Sequence, residues 1–195
     1  MKNKKLYAII GKPVTHSLSP VLHNHWFNKY NIEASYSLID IDDHDLQSVI
    51  EKIKSKELHG VNVTLPYKQK IIPHLDRLIN DARLTNSVNT IYLDNNNTVV
   101  GENTDVYGLQ AAYLKEIVSE NNKKALVIGA GGVSPSVIFS LKKSNIQNIS
   151  IVNRTHDKSI FLKKKFSFLN IIEWKFLKEE ISNFDIIINA TSLGL

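Results

Sequence analysis

The sequence predicts an α/β protein with two successive sheets: a substrate-type domain with a mostly parallel sheet, then a Rossmann-type domain. Strand-like runs alternate with helical patterns, and the alternation restarts after a polar segment at 119–124. The 195 residues suffice for one large or two small cores. Hydrophobic residues make up 43% and charged residues 22%, which is typical of a folded globular protein and excludes a disordered one.

We expect the first domain to cover residues 1–103. Strands are predicted at 5–11, 34–41, 59–65 and 88–93, with helices at 19–30 and 43–57 between the first three. The second helix carries apolar residues at helical spacing, namely Leu46, Val49, Ile50 and Ile53. Asp94–Asn97 predicts a tight turn before a short strand at 98–100. Parallel βαβ units follow from this alternation.

Residues 104–123 are predicted to connect the two domains. Within them, the stretch 104–120 has an amphipathic pattern formed by Leu109, Ala112, Tyr113 and Ile117. The second domain is then expected at 124–195. It is predicted to contain a strand at 125–128, a helix to about Ser144, a strand at 149–152, another helix and a strand at 184–189.

Composition excludes several classes of chemistry and partner. The chain has no cysteine, so disulfides, thiolate nucleophiles and cysteine-based metal sites are excluded, and we expect no metal. No run approaches the roughly 18 apolar residues of a membrane span, and the start Met1–Lys5 leads into a run too short for a signal peptide. We therefore expect a cytoplasmic protein without a membrane partner.

The net charge of +5 raises the alternative of nucleic-acid binding. The basic residues are 21 Lys and 3 Arg, and they are scattered along the chain. Such scatter indicates a compositional bias and not a binding stripe, so we expect no nucleic-acid partner.

A glycine-rich turn after the strand at 125–128 predicts a phosphate-binding site. It comprises Gly129, Ala130, Gly131, Gly132 and Val133, and a helix pattern follows it from Ser134. Gly129 permits a tight turn, Gly131 permits close approach of a pyrophosphate, and the helix directs its free N–H groups at that anion. The alternative is a plain βα turn.

The residues after the next strand favour NADP over NAD. An NAD site usually has a carboxylate there, whereas this strand ends in Asn153, Arg154 and Thr155. A guanidinium offers two parallel donors to a 2′-phosphate, and the threonine adds a hydroxyl. The alternative is an ordinary surface arginine.

Polar residues in the first domain predict a small anionic substrate. Ser17 and Ser19 stand at the start of a helix, where hydroxyls and the helix dipole favour a carboxylate; the alternative is that Ser19 caps the helix before Pro20. Asn62 and Thr64 lie on one side of a strand that ends near Lys68. Lys68 and Asp105, if they converge, could move the proton of a hydroxyl during hydride transfer.

Seven motifs resemble the shikimate dehydrogenase family in their order along the chain: HSLSP, NVTLPYK, SVNT, NTDVYG, GAGGVS, NRT and NATSLG. The resemblance implies reversible NADPH-dependent reduction of 3-dehydroshikimate to shikimate, in the biosynthesis of chorismate and the aromatic amino acids. It implies that Lys68 is the catalytic acid–base and that Asp105 is its partner. It implies that the substrate is bound by Ser17, Ser19, Asn62, Thr64, Lys68, Asn89 and Asp105.

The resemblance also assigns the cofactor site. It implies that NADP is bound by Gly129–Val133, Asn153, Arg154 and Thr155, with Thr191 beside it. Only three strands are predicted after Lys124, so we expect a partial, C-terminally incomplete Rossmann domain. Two alternatives stay open: a non-catalytic shikimate-binding module, and a quinate/shikimate dehydrogenase that accepts NAD. We expect a monomer or a homodimer.

Overall fold

The computed structural model of this chain describes residues 4–117 and 122–193. The chain divides into two compact units, the first ending at Asn103 and the second beginning at Thr104. Both combine helices with a largely parallel sheet, as predicted. In the described part of the chain, no helix is long and apolar enough to cross a membrane.

The first unit contains a six-stranded sheet. Its strands are β1 (Lys5–Gly11), β2 (Ala34–Asp40), β3 (Gly60–Val63), β4 (Arg77–Leu78), β5 (Thr90–Leu93) and β6 (Val99–Glu102). The order across the sheet is β2-β1-β3-β5-β6-β4. The pairs β1–β2, β1–β3 and β4–β6 are parallel, while β3–β5 and β5–β6 are antiparallel.

The antiparallel strand β5 determines where the polar motifs meet. Because β5 runs opposite to β3, its first residue, Thr90, pairs with Asn62 near the end of β3. Asn89, which precedes a strand, therefore lies at the same edge as Thr64, which follows one. The end of β6 reaches this edge too, since Glu102 pairs with Thr90.

Three α-helices accompany the first sheet: α1 (Ser19–Lys29), α2 (Leu46–Lys54) and α3 (Asp81–Thr85). The predicted apolar face of α2 is confirmed, because Leu46, Val49, Ile50 and Ile53 are all buried. The predicted helix at 43–57 is shorter, since 43–45 form a 3₁₀ turn and α2 ends at Lys54. The core joins these side chains to apolar residues of β1, β3 and β5, with Ile10 and Ile91 fully buried.

The second unit contains a four-stranded, fully parallel sheet. Its strands are β7 (Lys124–Ile128), β8 (Asn148–Val152), β9 (Asn170–Ile172) and β10 (Ile186–Asn189), in the order β10-β7-β8-β9. This order corresponds to strands 4-1-2-3 of a Rossmann sheet, which are one mononucleotide-binding half and the first strand of the next. The prediction of three strands was wrong, because β9 is only three residues long and has no fully buried side chain that would mark it.

Within the described residues of the second unit there are five α-helices: α4 (Asp105–Leu109), α5 (Lys115–Ile117), α6 (Ser134–Lys143), α7 (His156–Lys165) and α8 (Leu177–Glu180). Gln110–Leu114 form a π-type turn between α4 and α5. This wider turn displaces the predicted apolar face, so Leu114 is buried and Tyr113 is 62% exposed. The predicted helix end at 118–120 lies outside the described residues.

Candidate active site

Ser17 and Ser19 form a hydroxyl pair at the start of α1. The Ser17 hydroxyl donates to Ser19 Oγ over 3.1 Å and accepts the Ser19 backbone N–H over 3.3 Å. The alternative that Ser19 caps the helix is wrong: Ser19 is already helical, and the preceding Leu18 makes no side-chain cap. The pair therefore presents two hydroxyls beside a helix N-terminus, which suits a carboxylate.

The segment that carries Thr64 and Lys68 is fixed from both sides. A Cβ on Gly11 would lie 2.5 Å from the Thr64 methyl group, so only glycine lets β1 approach this closely. Tyr67 is 1% exposed, and its hydroxyl donates to the Ile41 carbonyl over 2.6 Å. The Lys68 carbonyl accepts the Val88 N–H over 2.8 Å. These contacts hold the half-buried Lys68 near the start of β5.

Asn62 and Asn89 are linked across β3 and β5. Asn62 Nδ2 lies 3.1 Å from both the Asn89 carbonyl and Thr90 Oγ1. Asn103 supports the loop before Asn89, since its buried side chain donates to the Ser87 carbonyl over 2.8 Å. The structure thus brings the hydroxyls of Thr64 and Thr90 and the amides of Asn62 and Asn89 to one edge of the first sheet.

Asp105 is the first residue of α4 and lines a groove in the second unit. The groove has a volume of about 380 Å³ and lies between α4 and the start of α6, with Gly108, Tyr113 and Val133 among its lining residues. Helix α4 is tied to α6, because the Ser140 hydroxyl donates to the Val106 carbonyl over 3.0 Å. Asp105 therefore lies in the same groove as Val133, which ends the glycine-rich turn.

The glycine-rich turn has the geometry of a phosphate cradle. Gly129 has a φ of +110°, and a Cβ there would lie 2.8 Å from the Thr191 methyl group and 2.9 Å from the Ala190 backbone. Ser134 locks the turn, since its hydroxyl donates to the Gly129 carbonyl and accepts the Gly131 N–H, both over 2.9 Å. The turn leads into α6, which supplies a helix N-terminus for an anion.

The residues after β8 border this turn. Asn153 Oδ1 accepts the Ala130 N–H over 3.2 Å, and its Nδ2 donates to the Thr155 carbonyl over 2.8 Å. Asn153 therefore joins the ends of two neighbouring strands. Arg154 and Thr155 are exposed, and Thr155 precedes α7 in extended conformation. An exposed guanidinium at this position, without a carboxylate, fits the 2′-phosphate of NADP.

Thr191 follows β10, the other neighbour of β7. Asn189 shapes this turn, because its Oδ1 accepts the Thr191 N–H over 3.0 Å and the Thr191 hydroxyl over 2.6 Å. Thr191 is thereby held against Gly129. The carboxyl ends of three adjacent strands in the second unit thus carry Thr191, the glycine-rich turn and Asn153–Thr155, and these residues fit a dinucleotide.

Sequence reasoning missed four residues that hold this site: Tyr36, Tyr67, Asn103 and Asn189. Tyr36 and Tyr67 have the appearance of ordinary packing residues in the sequence, since both are aromatic residues in or beside β-rich runs. Tyr67, Asn103 and Asn189 stand inside recognised motifs, so the motifs contained a signal for these three. Their roles depend on strand pairing that the sequence does not specify.

The fold and site define a class: an α/β oxidoreductase in which a dinucleotide-binding unit follows a unit with a site for a small polyhydroxylated anion. Family models confirm it. Residues 9–91 match the shikimate dehydrogenase substrate binding domain, and residues 112–194 match shikimate/quinate 5-dehydrogenase.

The chain belongs to the NADP-dependent shikimate dehydrogenase family. It is 46% identical over 192 residues to the shikimate dehydrogenase (NADP(+)) of Pelagibacter ubique, covering 98% of this chain and 71% of that protein. The crystal structure of the Aquifex aeolicus shikimate dehydrogenase superposes with a TM-score of 0.90 at 36% identity, covering 100% of this chain and 72% of the other. A shikimate dehydrogenase solved in complex with NADP+ gives a TM-score of 0.88 at 35% identity, covering 100% and 70%.

Proposed function

We propose that this chain catalyses the reversible, NADPH-dependent reduction of 3-dehydroshikimate to shikimate. We assign the substrate site to residues 1–103, the cofactor site to 124–195, and the connection to 104–123. The observation that supports this proposal is that Thr64, Lys68 and Asn89 lie where β3 ends and β5 begins. Ser17 and Ser19, at the start of α1, follow β1, which is the neighbour of β3. Family membership supports the same chemistry.

The substrate-binding groups match the chemistry of shikimate. The Ser17 and Ser19 hydroxyls would hold the carboxylate, assisted by the positive end of the α1 dipole. Thr64, Asn89 and Asp105 would bind the ring hydroxyls, with Lys68 at the hydroxyl that reacts. The tight contact of Thr64 with Gly11 keeps its hydroxyl in place for this role.

Lys68 would act as the acid in reduction and as the base in oxidation. NADPH, when bound, supplies the hydride that adds to the carbonyl carbon. The Lys68 ammonium would donate a proton to the carbonyl oxygen as negative charge develops there, and in the reverse direction the amine would accept that proton. Asp105 would hold the Lys68 ammonium in place at the reacting hydroxyl of the substrate.

The second unit would hold NADP. Gly129–Val133 and the N-terminus of α6 would face the pyrophosphate, and Thr191 would lie beside the cofactor. Asn153 would keep the two phosphate-facing turns together, while Arg154 and Thr155 would bind the 2′-phosphate.

Replacing Lys68 tests the catalytic assignment. We expect Lys68→Ala to lower kcat for shikimate oxidation by about 10²- to 10⁴-fold, because the proton transfer loses its base. Turnover is followed by NADPH formation in the presence of shikimate and NADP+. Lys70→Ala is the matched control. Lys70 lies two residues from Lys68, is exposed and forms an ion pair with Asp43.

Unchanged turnover in Lys68→Ala would contradict the role of this lysine. A wild-type chain that binds shikimate and NADP+ but never forms NADPH would favour the alternative of a non-catalytic binding module. Equal use of NAD+ and NADP+ would favour the quinate/shikimate alternative. We further propose a cytoplasmic monomer or homodimer, which size-exclusion chromatography with light scattering checks for the oligomeric state.

A further inference from the structure

Tyr36 lies on β2 and is tied to the substrate edge by its hydroxyl. The side chain is 6% exposed and packs with Ile9 and Val14 in a small core. Its ring stacks on His23, with centroids 4.3 Å apart and an interplanar angle of 10°. The hydroxyl lies 2.6 Å from Asn62 Oδ1. The ring is thus held firmly, and its polar end reaches β3.

The hydrogen bonds around Asn62 have a determined direction. The backbone carbonyl of Asn89 only accepts, so the atom of Asn62 that faces it must be the amide nitrogen. Asn62 Oδ1 therefore faces Tyr36, which must donate its hydroxyl proton. Burial raises the pKa of the Tyr36 hydroxyl, which keeps this donor protonated at neutral pH.

Thr90 links Asn62 to the side chain of Asn89. Asn62 Nδ2 donates to Thr90 Oγ1 over 3.1 Å, and the Thr90 hydroxyl lies 3.0 Å from Asn89 Oδ1. An amide oxygen only accepts, so the Thr90 hydroxyl supplies the proton of this last bond. The Asn89 side chain then has its carbonyl oxygen on the Thr90 side and its amide nitrogen on the opposite side.

We propose that Tyr36, Asn62 and Thr90 are positioning residues that make Asn89 a hydrogen-bond donor toward a ring hydroxyl oxygen of the substrate. This inference rests on the proposed function and refines it. Both N–H groups of Asn62 are used inside the protein, so Asn62 acts through Asn89 and not as a donor to the substrate. A relay with one direction also strengthens each of its bonds by polarisation.

Removing the first hydroxyl of the relay tests the inference. Tyr36→Phe keeps the stacked ring and deletes only the donor to Asn62. We expect the Kd of the 195-residue chain for shikimate, measured by NMR titration, to rise about tenfold, the effect of one hydrogen bond. Tyr7→Phe is the matched control, because Tyr7 packs against the same small core and has no place in the relay.

A second variant guards against a general loss of structure. Thr90→Val preserves shape and removes the hydroxyl that orients Asn89, and we expect a similar rise in Kd with near-native thermal unfolding. In an Asn89→Ala background, Tyr36→Phe should cause no further rise, because the residue that it orients is absent.

The remaining outcomes overturn the inference. An unchanged Kd in Tyr36→Phe or in Thr90→Val would show that the relay does not act on the substrate. An equal rise in Kd with and without the Asn89 side chain would show that Tyr36 acts independently of Asn89. Failure of the wild-type chain to bind shikimate would contradict the proposed function itself, and the inference with it.

Discussion

Gly129 and Gly131 belong to one turn, yet a methyl group would meet different surroundings at the two positions. At Gly129 it would lie 2.9 Å from the Ala190 backbone, in a residue with a φ of +110°. At Gly131 the nearest atom is the Ala190 carbonyl oxygen at 3.8 Å, an ordinary contact. Gly129 is thus needed by the fold, whereas Gly131 is open on the side where a phosphate would approach.

Alanine substitutions at the two glycines should distinguish a role in folding from a role in NADP+ binding. We expect Gly129→Ala to lower the free energy of unfolding by about 1–3 kcal/mol, because the backbone conformation disfavours a side chain. Gly131→Ala should leave stability nearly unchanged and weaken NADP+ binding. Denaturant unfolding and NADP+ titration of both variants check this. Tight NADP+ binding by Gly131→Ala would argue against the pyrophosphate position.

Arg154 should determine the choice of cofactor. We expect Arg154→Ala to raise the Kd for NADP+ by about 10- to 100-fold, since a charge-assisted bond to the 2′-phosphate is lost. The Kd for NAD+, which lacks that phosphate, should stay within a factor of about two. Isothermal titration with both cofactors measures the difference. An equal rise in the Kd for NADP+ and for NAD+ would contradict the assignment of Arg154 to the 2′-phosphate.

The β5–β6 hairpin depends on one carboxylate. Asp94 Oδ1 accepts the backbone N–H groups of Thr98 and Asn96, both over 2.9 Å, and Arg77 pairs with the other oxygen at 2.8 Å. The Thr98 N–H, followed by that of Asn96 and the Arg77 charge, lowers the pKa of Asp94. The ionised carboxylate is therefore the form that the folded hairpin stabilises.

This pKa shift gives a pH dependence with a definite sign. A lowered folded-state pKa means that the stability contribution is complete above the unfolded value of about 3.9 and is lost as the pH falls through the folded value. We expect Asp94→Asn to be less stable at neutral pH and to lose less stability than the wild type between about pH 6 and pH 3. Urea unfolding at several pH values measures this. If the free energy of unfolding changed equally with pH in Asp94→Asn and in the wild type, a role for the Asp94 charge would be excluded.

At the level of elements, the sequence predicted those whose pattern is local. Helix α2 was identified because Leu46, Val49, Ile50 and Ile53 recur at helical spacing, and all four are buried. Strand β9 was missed because a run of three residues is too short to show an alternating hydrophobic pattern. The exposed Tyr113 was predicted on the apolar face because a π turn, which adds a residue to one turn, leaves no mark in the sequence.

Across the whole molecule, two sheets place their polar residues at the ends of strands. Alternation was enough to predict both sheets, and glycine spacing predicted the turn after β7. The direction of β5 could not be predicted, because strand pairing is not a local property. That direction brings Asn62 and Thr90 into register and creates the relay from Tyr36 to Asn89. The motifs therefore named candidate residues, Asn62 among them, whereas the pairing that joins Asn62 to Thr90 and Tyr36 could not be predicted.

Hydrogen exchange of the wild-type chain with each ligand tests the assignment of two sites most directly. We expect shikimate to slow exchange of backbone amides at 12–19, 60–68 and 86–90, where the substrate edge of the first unit lies. We expect NADP+ to slow exchange at 128–137, 152–158 and 189–193, around the glycine-rich turn. Shikimate protection confined to other segments, or none with either ligand at saturating concentration, would contradict the account.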